Sequence, residues 1–216
     1  MIITPAILAK DENEFRDYLS FAHQLPDGRW HVDILDGSMH DTTCWHDANV
    51  VGDIPDLPDI ELHFMVLDPF PHILAWHRAV KSVRRVLLNA DTFQLAKVIQ
   101  QTQALRLDIS LTLNPDVVPD ICTPYISSID EILIMGIRPG ASGQKFLGEE
   151  VLAQILRTRA LFPEVDIAVD GGIQKEIVGK LAKSGVTRII TSSALFKAAS
   201  PIDAHHALQE AAKIVL

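Results

Sequence analysis

The sequence predicts an α/β fold, and a single (β/α)8 barrel, the TIM barrel, is the arrangement that fits it best. Short apolar runs rich in β-branched residues alternate along the chain with longer amphipathic stretches, as in proteins built from strand–helix units. Eight such runs in 216 residues leave about 27 residues for each unit, which is enough for a barrel. A doubly wound open sheet shows the same alternation and stays open as an alternative.

The eight strands are placed where the apolar runs occur. Several runs are continuously apolar, as expected of parallel strands that are covered on both faces. The predicted strands are Ile2–Leu8, His31–Leu35, Glu61–Val66, Arg85–Leu88, Ile109–Leu113, Glu131–Gly136, Asp166–Val169 and Arg188–Thr191.

Helices are predicted between the strands. Prolines in Asp116–Ile126 leave room only for a short helix there. The longest irregular stretch, Ser38–Asp59, follows the second strand, so we expect it at the C-terminal rim of the barrel, where active-site loops are found. No linker divides the chain, and residues 1–216 are predicted to form one domain. Helical spacing is clearest over Asp11–Leu25, Glu149–Leu161, Ile177–Ser184 and Ala204–Val215.

Composition and charge argue against several classes of function. Acidic residues number 28 and basic residues 19, which gives a formal net charge of −9. A net-acidic surface repels a phosphate backbone, so nucleic acid is not expected as a partner. No apolar run reaches the roughly 18 residues of a membrane span, and the N-terminal segment does not resemble a signal peptide. Cys44 and Cys122 are expected to be reduced thiols, which favours a cytoplasmic location.

Histidine and aspartate side chains are predicted to point inward near the ends of three strands. Alternation places His31 and Asp33 on one face of the second strand, while His63 lies in the third strand and Asp170 ends the seventh. Charge inside a barrel is costly unless it is paired or ligated. Two histidines and two carboxylates suit Zn²⁺, Fe²⁺, Mn²⁺ or Co²⁺. Spacing alone leaves two other interpretations open. The histidines could be hydrogen-bonded core residues, and Asp170 could be a turn residue before two glycines.

Three loops of small residues follow later strands. Loops after strands seven and eight hold a phosphate in many barrels, and they do so through backbone N–H groups, so an acidic protein can still bind an anion. The loops contain Gly140, Ala141, Ser142 and Gly143 after the sixth strand, Gly171 and Gly172 after the seventh, and Ser192 and Ser193 after the eighth.

At these residues the chain resembles the ribulose-phosphate 3-epimerase family. Each matching piece is modest, but together, in the family's order and at barrel spacing, they are specific, and they span nearly the whole chain. The pieces are Pro5–Leu8, His31–Gly37, His63–Val66 with Asp68 and Pro69, Leu113–Pro115, Pro139 and Gly140 with Gly143–Phe146, Val169–Gly172 and Ser193–Phe196.

The resemblance implies a barrel of the ribulose-phosphate-binding type that uses one divalent metal to invert C3 of a ketose phosphate through an enediolate. The default pair is D-ribulose 5-phosphate and D-xylulose 5-phosphate. Inversion beside a carbonyl needs a proton removed from one face and returned to the other, which two carboxylates can do. The implied metal ligands are His31, Asp33, His63 and Asp170, with Asp33 and Asp170 as the acid/base pair. The implied substrate contacts are His63, Met65, Met135 and the three loops.

The departures from the family's usual pattern lie around the substrate. Ala6 replaces a usual serine, Leu35 a methionine, and Leu87–Asn89 a His-x-Glu ending, while Arg138 and Ser192 replace smaller residues. Two alternatives therefore stay open. One is an epimerase of another phosphorylated ketose, such as a hexulose phosphate. The other is a catalytically silent barrel that binds a sugar phosphate.

The loop Ser38–Asp59 contains an alternative, local metal site. His40, Cys44 and His46 lie close together there, although their spacing matches no standard ligand set. Trp45 is expected to pack on the barrel rim or against a subunit partner, which makes the loop a candidate contact in a homo-oligomer. The other histidines fit exposed helix positions and receive no role: His23, His72, His77, His205 and His206.

Overall fold

The eight predicted strands close into a parallel barrel. The computed structural model describes residues 1–22, 24–25, 28–138 and 144–213. The strands are β1 Ile2–Ile7, β2 Arg29–Ile34, β3 Asp59–Phe64, β4 Val83–Asn89, β5 Asp108–Leu113, β6 Glu131–Met135, β7 Asp166–Asp170 and β8 Arg188–Thr191. Each strand pairs with the next, and β8 returns to β1 with Ile2 opposite Arg188. The open-sheet alternative is therefore wrong.

Helices connect the strands around the outside of the barrel. They are α1 Glu12–Ala22, α2 Ala48–Gly52, α3 Pro69–Ala79, α4 Leu95–Ala104, α5 Glu149–Leu161, α6 Lys175–Lys183, α7 Ser193–Phe196 and α8 Pro201–Lys213. A 3₁₀ helix, Pro119–Ser128, follows β5 and contains Pro124, in agreement with the short helix expected there. Within Ser38–Asp59 the sequence predicts irregular structure, but α2 forms because the Asp47 side chain accepts hydrogen bonds from the N–H groups of Asn49 and Val50.

The main hydrophobic core lies between the strands and the helices. Outward side chains of β2, including Trp30 and Val32, belong to the same buried cluster as the helix residues Phe15 and Trp76. Because successive strand side chains point to opposite faces, the neighbours of these outward residues face the barrel interior. A smaller apolar cluster in that interior consists of Ala6, Leu87, Leu133, Met135, Ile137, Ala168 and Ile190.

One prediction about the histidines is wrong. The sequence pattern predicts an exposed His205, but its side chain is buried because it shares the buried face of α8 with Leu208 and Ala212. That helix packs against α6 and β1. His206 is exposed, His72 and His77 are half-buried, and His23 lies outside the described residues.

Among the described residues, no helix combines the length and the apolar character that a membrane span requires.

Candidate metal and active site

His31 and Asp33 enter the barrel interior from β2. Their neighbours Trp30, Val32 and Ile34 pack into the outer core, so the strand alternation leaves the two polar side chains inside. The β2–β3 register places Asp33 beside His63. Asp170 is the last residue of β7, and it therefore reaches the same C-terminal end of the barrel.

Four side chains converge at this end of the barrel. His31 Nε2 lies 3.2 Å from Asp33 Oδ1 and 4.0 Å from Asp170 Oδ2, and His63 Nδ1 lies 3.2 Å from the same Asp33 oxygen. One candidate ligand atom from each of the four residues lies within 4.8 Å of the others. Within the described part of the chain, no second group of three or more such side chains meets this condition.

The donor set fits a divalent transition metal. Two imidazoles and two carboxylates are ligands that Zn²⁺, Fe²⁺, Mn²⁺ and Co²⁺ all accept. The Nε2 atom of His63 is buried and has no hydrogen-bond partner among the described residues, and an unsatisfied buried nitrogen is costly unless an ion or another donor or acceptor reaches it. The structure thus brings together the four predicted ligands, and their binding of a metal stays a prediction.

The charges of the cluster separate the pKa values of its two aspartates. Burial raises the pKa of Asp33, but hydrogen bonds from His31 and His63 outweigh burial and hold it well below its usual range. Burial raises the pKa of Asp170 to about 6, because the charge of His31 compensates only in part. Without a metal, Asp33 is therefore ionised at neutral pH, while Asp170 gains a proton readily.

The pKa of His31 reflects its two acidic contacts. Burial lowers this pKa, but hydrogen bonds to Asp33 and Glu61 outweigh burial and raise it to about 10. Its Nδ1 atom lies 2.8 Å from Glu61 Oε1, on the side away from Asp33. The ring is therefore held on both nitrogens.

Met65 and Met135 lie beside the cluster. Both side chains are buried, and Met135 is paired with Asp170 in the β6–β7 register. Met65 follows β3 directly and its N–H group donates to the carbonyl of Ile34. Their positions are compatible with the predicted substrate contacts.

Gly171 and Gly172 form a turn that only glycine fits. Their φ angles are 96° and 69°, in the left-handed region that favours glycine. A Cβ atom on Gly172 would lie 2.5 Å from the backbone nitrogen of Phe146, and one on Gly171 would lie 2.5 Å from the side chain of Ile137. The turn therefore allows the segment after β6 to cross closely over the end of β7.

The remaining predicted substrate residues follow β6 and β8. Ser192 and Ser193 are half-buried at the start of α7, where the carbonyl of Ser192 accepts from the N–H groups of Leu195 and Phe196. The four loop residues predicted after β6 lie outside the described residues: Gly140, Ala141, Ser142 and Gly143.

The alternative metal site in Ser38–Asp59 finds no support. Cys44 Sγ donates to the carbonyl of Asp33 at 3.2 Å, and His46 Nδ1 donates to the carbonyl of Cys44 at 2.8 Å. Burial raises the pKa of Cys44 to about 11, which disfavours the thiolate that binds metals. No metal group containing His40, Cys44 and His46 occurs in the described ranges. Trp45 packs on Phe15 with ring centroids 5.2 Å apart, as expected for a rim residue.

Sequence reasoning missed two residues next to the cluster. Glu61 contacts His31 from below, and Arg188 Nη1 lies 2.7 Å from the same Glu61 oxygen. The signal for both is a charged residue at an inward position of an apolar strand, since Glu61 precedes His63 by two positions and Arg188 opens β8.

Comparison with known proteins points to one family. A model described as the ribulose-phosphate 3 epimerase family matches residues 2–196. The ribulose-phosphate 3-epimerase of Eremothecium gossypii is 27% identical to this chain over 94% of it and 89% of its own length. The protein of the same name from Bacillus subtilis is 25% identical over 90% of this chain and 91% of its own.

Solved structures share the fold at low identity. A 3-hexulose-6-phosphate synthase from Salmonella typhimurium superposes with a TM-score of 0.72 at 16% identity, over 100% of both chains. A mutant tryptophan synthase alpha-subunit from Pyrococcus furiosus superposes with a TM-score of 0.69 at 13% sequence identity, over 99% of this chain and 97% of its own. Such neighbours show the barrel architecture alone, whereas the family model covers all eight strands described above. The chain belongs to the ribulose-phosphate 3-epimerase family.

Proposed function

We propose that this chain is a metal-dependent epimerase that inverts C3 of a ketose phosphate, with D-ribulose 5-phosphate and D-xylulose 5-phosphate as the default pair. The observation that carries the proposal is the convergence of two carboxylates on His31 Nε2, with Asp33 Oδ1 at 3.2 Å and Asp170 Oδ2 at 4.0 Å. Membership of the family supports the class of reaction.

The two carboxylates supply the proton transfers. Inversion requires that a proton leave one face of C3 and that another arrive at the opposite face. Asp33 is ionised at neutral pH because His31 and His63 hold its pKa low, so its carboxylate is available to accept the first proton. Asp170, whose pKa burial raises to about 6, is suited to donate the second, and the roles exchange in the reverse reaction. A pair of carboxyl groups with separated pKa values is the pattern that such acid/base chemistry needs.

In this proposal, different residues at the C-terminal end of the barrel would hold the metal and the substrate phosphate. His31, Asp33, His63 and Asp170 would hold the metal ion. When bound, a divalent cation supplies positive charge that stabilises the negative charge developing on the substrate oxygens. The phosphate would be held by backbone N–H groups of the loops after β6, β7 and β8. Met65 and Met135 would cover the reacting carbons with apolar surface.

A different phosphorylated ketose, such as a hexulose phosphate, is the second candidate. Ala6 and Leu87 both belong to the apolar cluster inside the barrel, at positions where the family usually has polar side chains. Asn89 is turned to the carbonyl of Phe64 and to Met39 Sδ, each 3.2 Å from its Nδ2. The wall that faces the substrate is therefore less polar than the family's pattern, which favours a change of substrate.

We further propose a single domain over residues 1–216 and a cytosolic location. Cys44 and Cys122 are both free, in keeping with a reducing compartment. The net charge of −9 supports a small-molecule substrate rather than nucleic acid. The loop around Trp45 is the candidate contact if the chain forms a homo-oligomer.

An exchange experiment tests the function. Metal-loaded protein is incubated with D-ribulose 5-phosphate in D2O, with and without a chelator, and the C3 proton is followed by NMR. We expect deuterium to enter C3, xylulose 5-phosphate to appear, and both to stop when the chelator is added. No exchange with this substrate, but exchange with a hexulose phosphate, would favour the second candidate. No exchange with either would indicate the silent barrel.

A further inference from the structure

The lower half of the barrel interior is charged. Four side chains lie there, at the N-terminal halves of β3, β4, β6 and β8, although such interiors are usually filled by branched apolar residues. The side-chain exposure is 0% for Glu61, 3% for Glu131 and 5% for Arg188, and 12% for Arg85. Buried charges of this kind are tolerated only when they are paired with good geometry. Their pairing therefore defines what each can do.

Arg188 joins the two glutamates. It contacts Glu131 through two parallel bonds, Nε to Oε2 at 2.9 Å and Nη2 to Oε1 at 2.6 Å. Its Nη1 atom donates to Glu61 Oε1 at 2.7 Å and to Thr4 Oγ1 at 3.2 Å. A planar guanidinium with several fixed donors suits this bridging position better than an ammonium group does.

The two glutamates differ in their other contacts. Glu131 also accepts from Ser110 at 2.8 Å and pairs with Arg85 at 3.2 Å, so it is the more strongly held of the two. Among the residues that the structure describes, Glu61 has a single further contact, from its Oε1 atom to His31 Nδ1 at 2.8 Å. Its Oε2 atom is buried without a hydrogen-bond partner in the described ranges. One oxygen of Glu61 therefore links Arg188 to His31.

The contact between Glu61 and His31 determines which nitrogen of His31 is available to bind a metal. A carboxylate at Nδ1 favours a proton on that atom, so once Nε2 has lost its own proton the ring directs the Nε2 lone pair toward Asp33 and Asp170. Carboxylate partners of this kind orient metal-ligating histidines and make them better ligands. The Nε2 atom is the one that lies among the predicted ligands.

We infer that Glu61 and Arg188 are positioning residues for the metal site: Arg188 anchors the carboxylate of Glu61, and Glu61 holds His31 with Nδ1 protonated and Nε2 directed at the ion. This inference rests on the proposed metal site. It assigns a role to two residues that touch neither the substrate nor the ion.

Glu61→Gln and Glu131→Gln make a matched pair for the test. Each removes one buried negative charge that contacts Arg188, with almost no change of size, and only Glu61 touches His31. The probe is Co²⁺, added to metal-stripped full-length protein, with affinity measured by competition against a chromogenic chelator. The visible absorption of bound Co²⁺ reports its coordination. Circular dichroism and thermal unfolding check the fold.

We expect Glu61→Gln to lose roughly 10- to 100-fold in Co²⁺ affinity, as for other partners of metal-binding histidines, and to change the Co²⁺ spectrum. Glu131→Gln should keep the wild-type affinity and spectrum although it loses more thermal stability, because it leaves Arg85 and Arg188 underpaired. If Co²⁺ affinity follows thermal stability, Glu131→Gln loses at least as much Co²⁺ affinity as Glu61→Gln does. The role of Glu61 is then merely structural and the inference fails. Unchanged affinity in Glu61→Gln also overturns it.

A second pair covers the case in which Glu61→Gln does not fold. Arg188→Lys keeps a donor for Glu61, whereas Arg188→Met removes it, so Arg188→Lys should retain more Co²⁺ affinity. Equal affinity in these two variants contradicts the inference. If wild-type protein itself binds no Co²⁺, the metal-dependent function and the inference fail together. If wild-type binds Co²⁺ and the variants bind it equally well, only the inference fails.

Discussion

Binding of a metal ion to the stripped protein should release a proton from His31. Hydrogen bonds to Asp33 and Glu61 outweigh burial and hold the pKa of this ring at about 10, so both of its nitrogens carry protons at neutral pH. A histidine must be neutral to bind a metal. Nε2 therefore loses its proton as the ion binds, while Nδ1 keeps the proton that faces Glu61.

The size of the effect follows from linkage. Release of one proton makes the affinity rise about tenfold per pH unit, or roughly 1.4 kcal/mol. The affinity increases with pH because the proton and the metal compete for Nε2. Between about pH 7 and about pH 9, His31 accounts for an increase of about 100-fold. Below about pH 6 the slope steepens, because burial raises the pKa of Asp170 to about 6 and this carboxyl must also ionise.

Isothermal titration calorimetry measures the released protons directly. Titrations of Co²⁺ at about pH 8 in two buffers with different ionisation enthalpies give the number of protons per ion. His206→Gln is a suitable control, because His206 is exposed on α8 and its loss should change nothing. Tight binding without proton release at this pH would refute the reasoning, since it would mean that His31 is neutral beforehand or is not a ligand.

Three further outcomes are expected. Asp33→Asn or Asp170→Asn should abolish C3 proton exchange, followed by NMR in D2O, while circular dichroism stays unchanged; full activity in either variant would contradict the two-carboxylate assignment. A chelator should lower the thermal midpoint and added metal should restore it, because an ion that binds only the folded chain stabilises it. Gly172→Ala should lose about 1–3 kcal/mol in urea unfolding, since its Cβ would lie 2.5 Å from the backbone of Phe146; Gly28→Ala, with nothing within 4 Å, should lose far less, and equal losses would refute this account.

The alternation of inward and outward side chains along each strand was sufficient to predict that the four ligands lie together. His31 and Asp33 are separated by one outward residue, and polar side chains at inward positions near strand ends must meet at one end of a parallel barrel. Alternation could not decide between a barrel and an open sheet. That choice depends on the pairing of Ile2 with Arg188, a contact between distant parts of the chain that no local pattern reports.

Two other features could not be predicted from the local sequence pattern, for physical reasons. Glu61 and Arg188 open two of the predicted strands, but an apolar run assigns no role to the charged residue at its start. That the two charges balance each other depends on a contact across the barrel, which the local sequence does not report. His205 sits in a helix of mixed polarity, and its burial depends on how α8 packs against α6 and β1. The helix α2 could have been found, because Asp47 precedes it as a good N-cap residue.

Arg188 also bears on the order in which the chain can fold. It lies on the last strand, 127 residues after Glu61 and 57 after Glu131. While β8 is still missing, as during synthesis, Arg85 can pair with Glu131, but among the described residues Glu61 has only His31 as a partner, and it shares His31 with Asp33. Early collapse of seven strands would then bury a poorly compensated carboxylate, at a cost of several kcal/mol. The strand that closes the sheet, β8, also carries Arg188, the positive charge that Glu61 lacks until then. Closure of the sheet before β8 is present is therefore unfavourable.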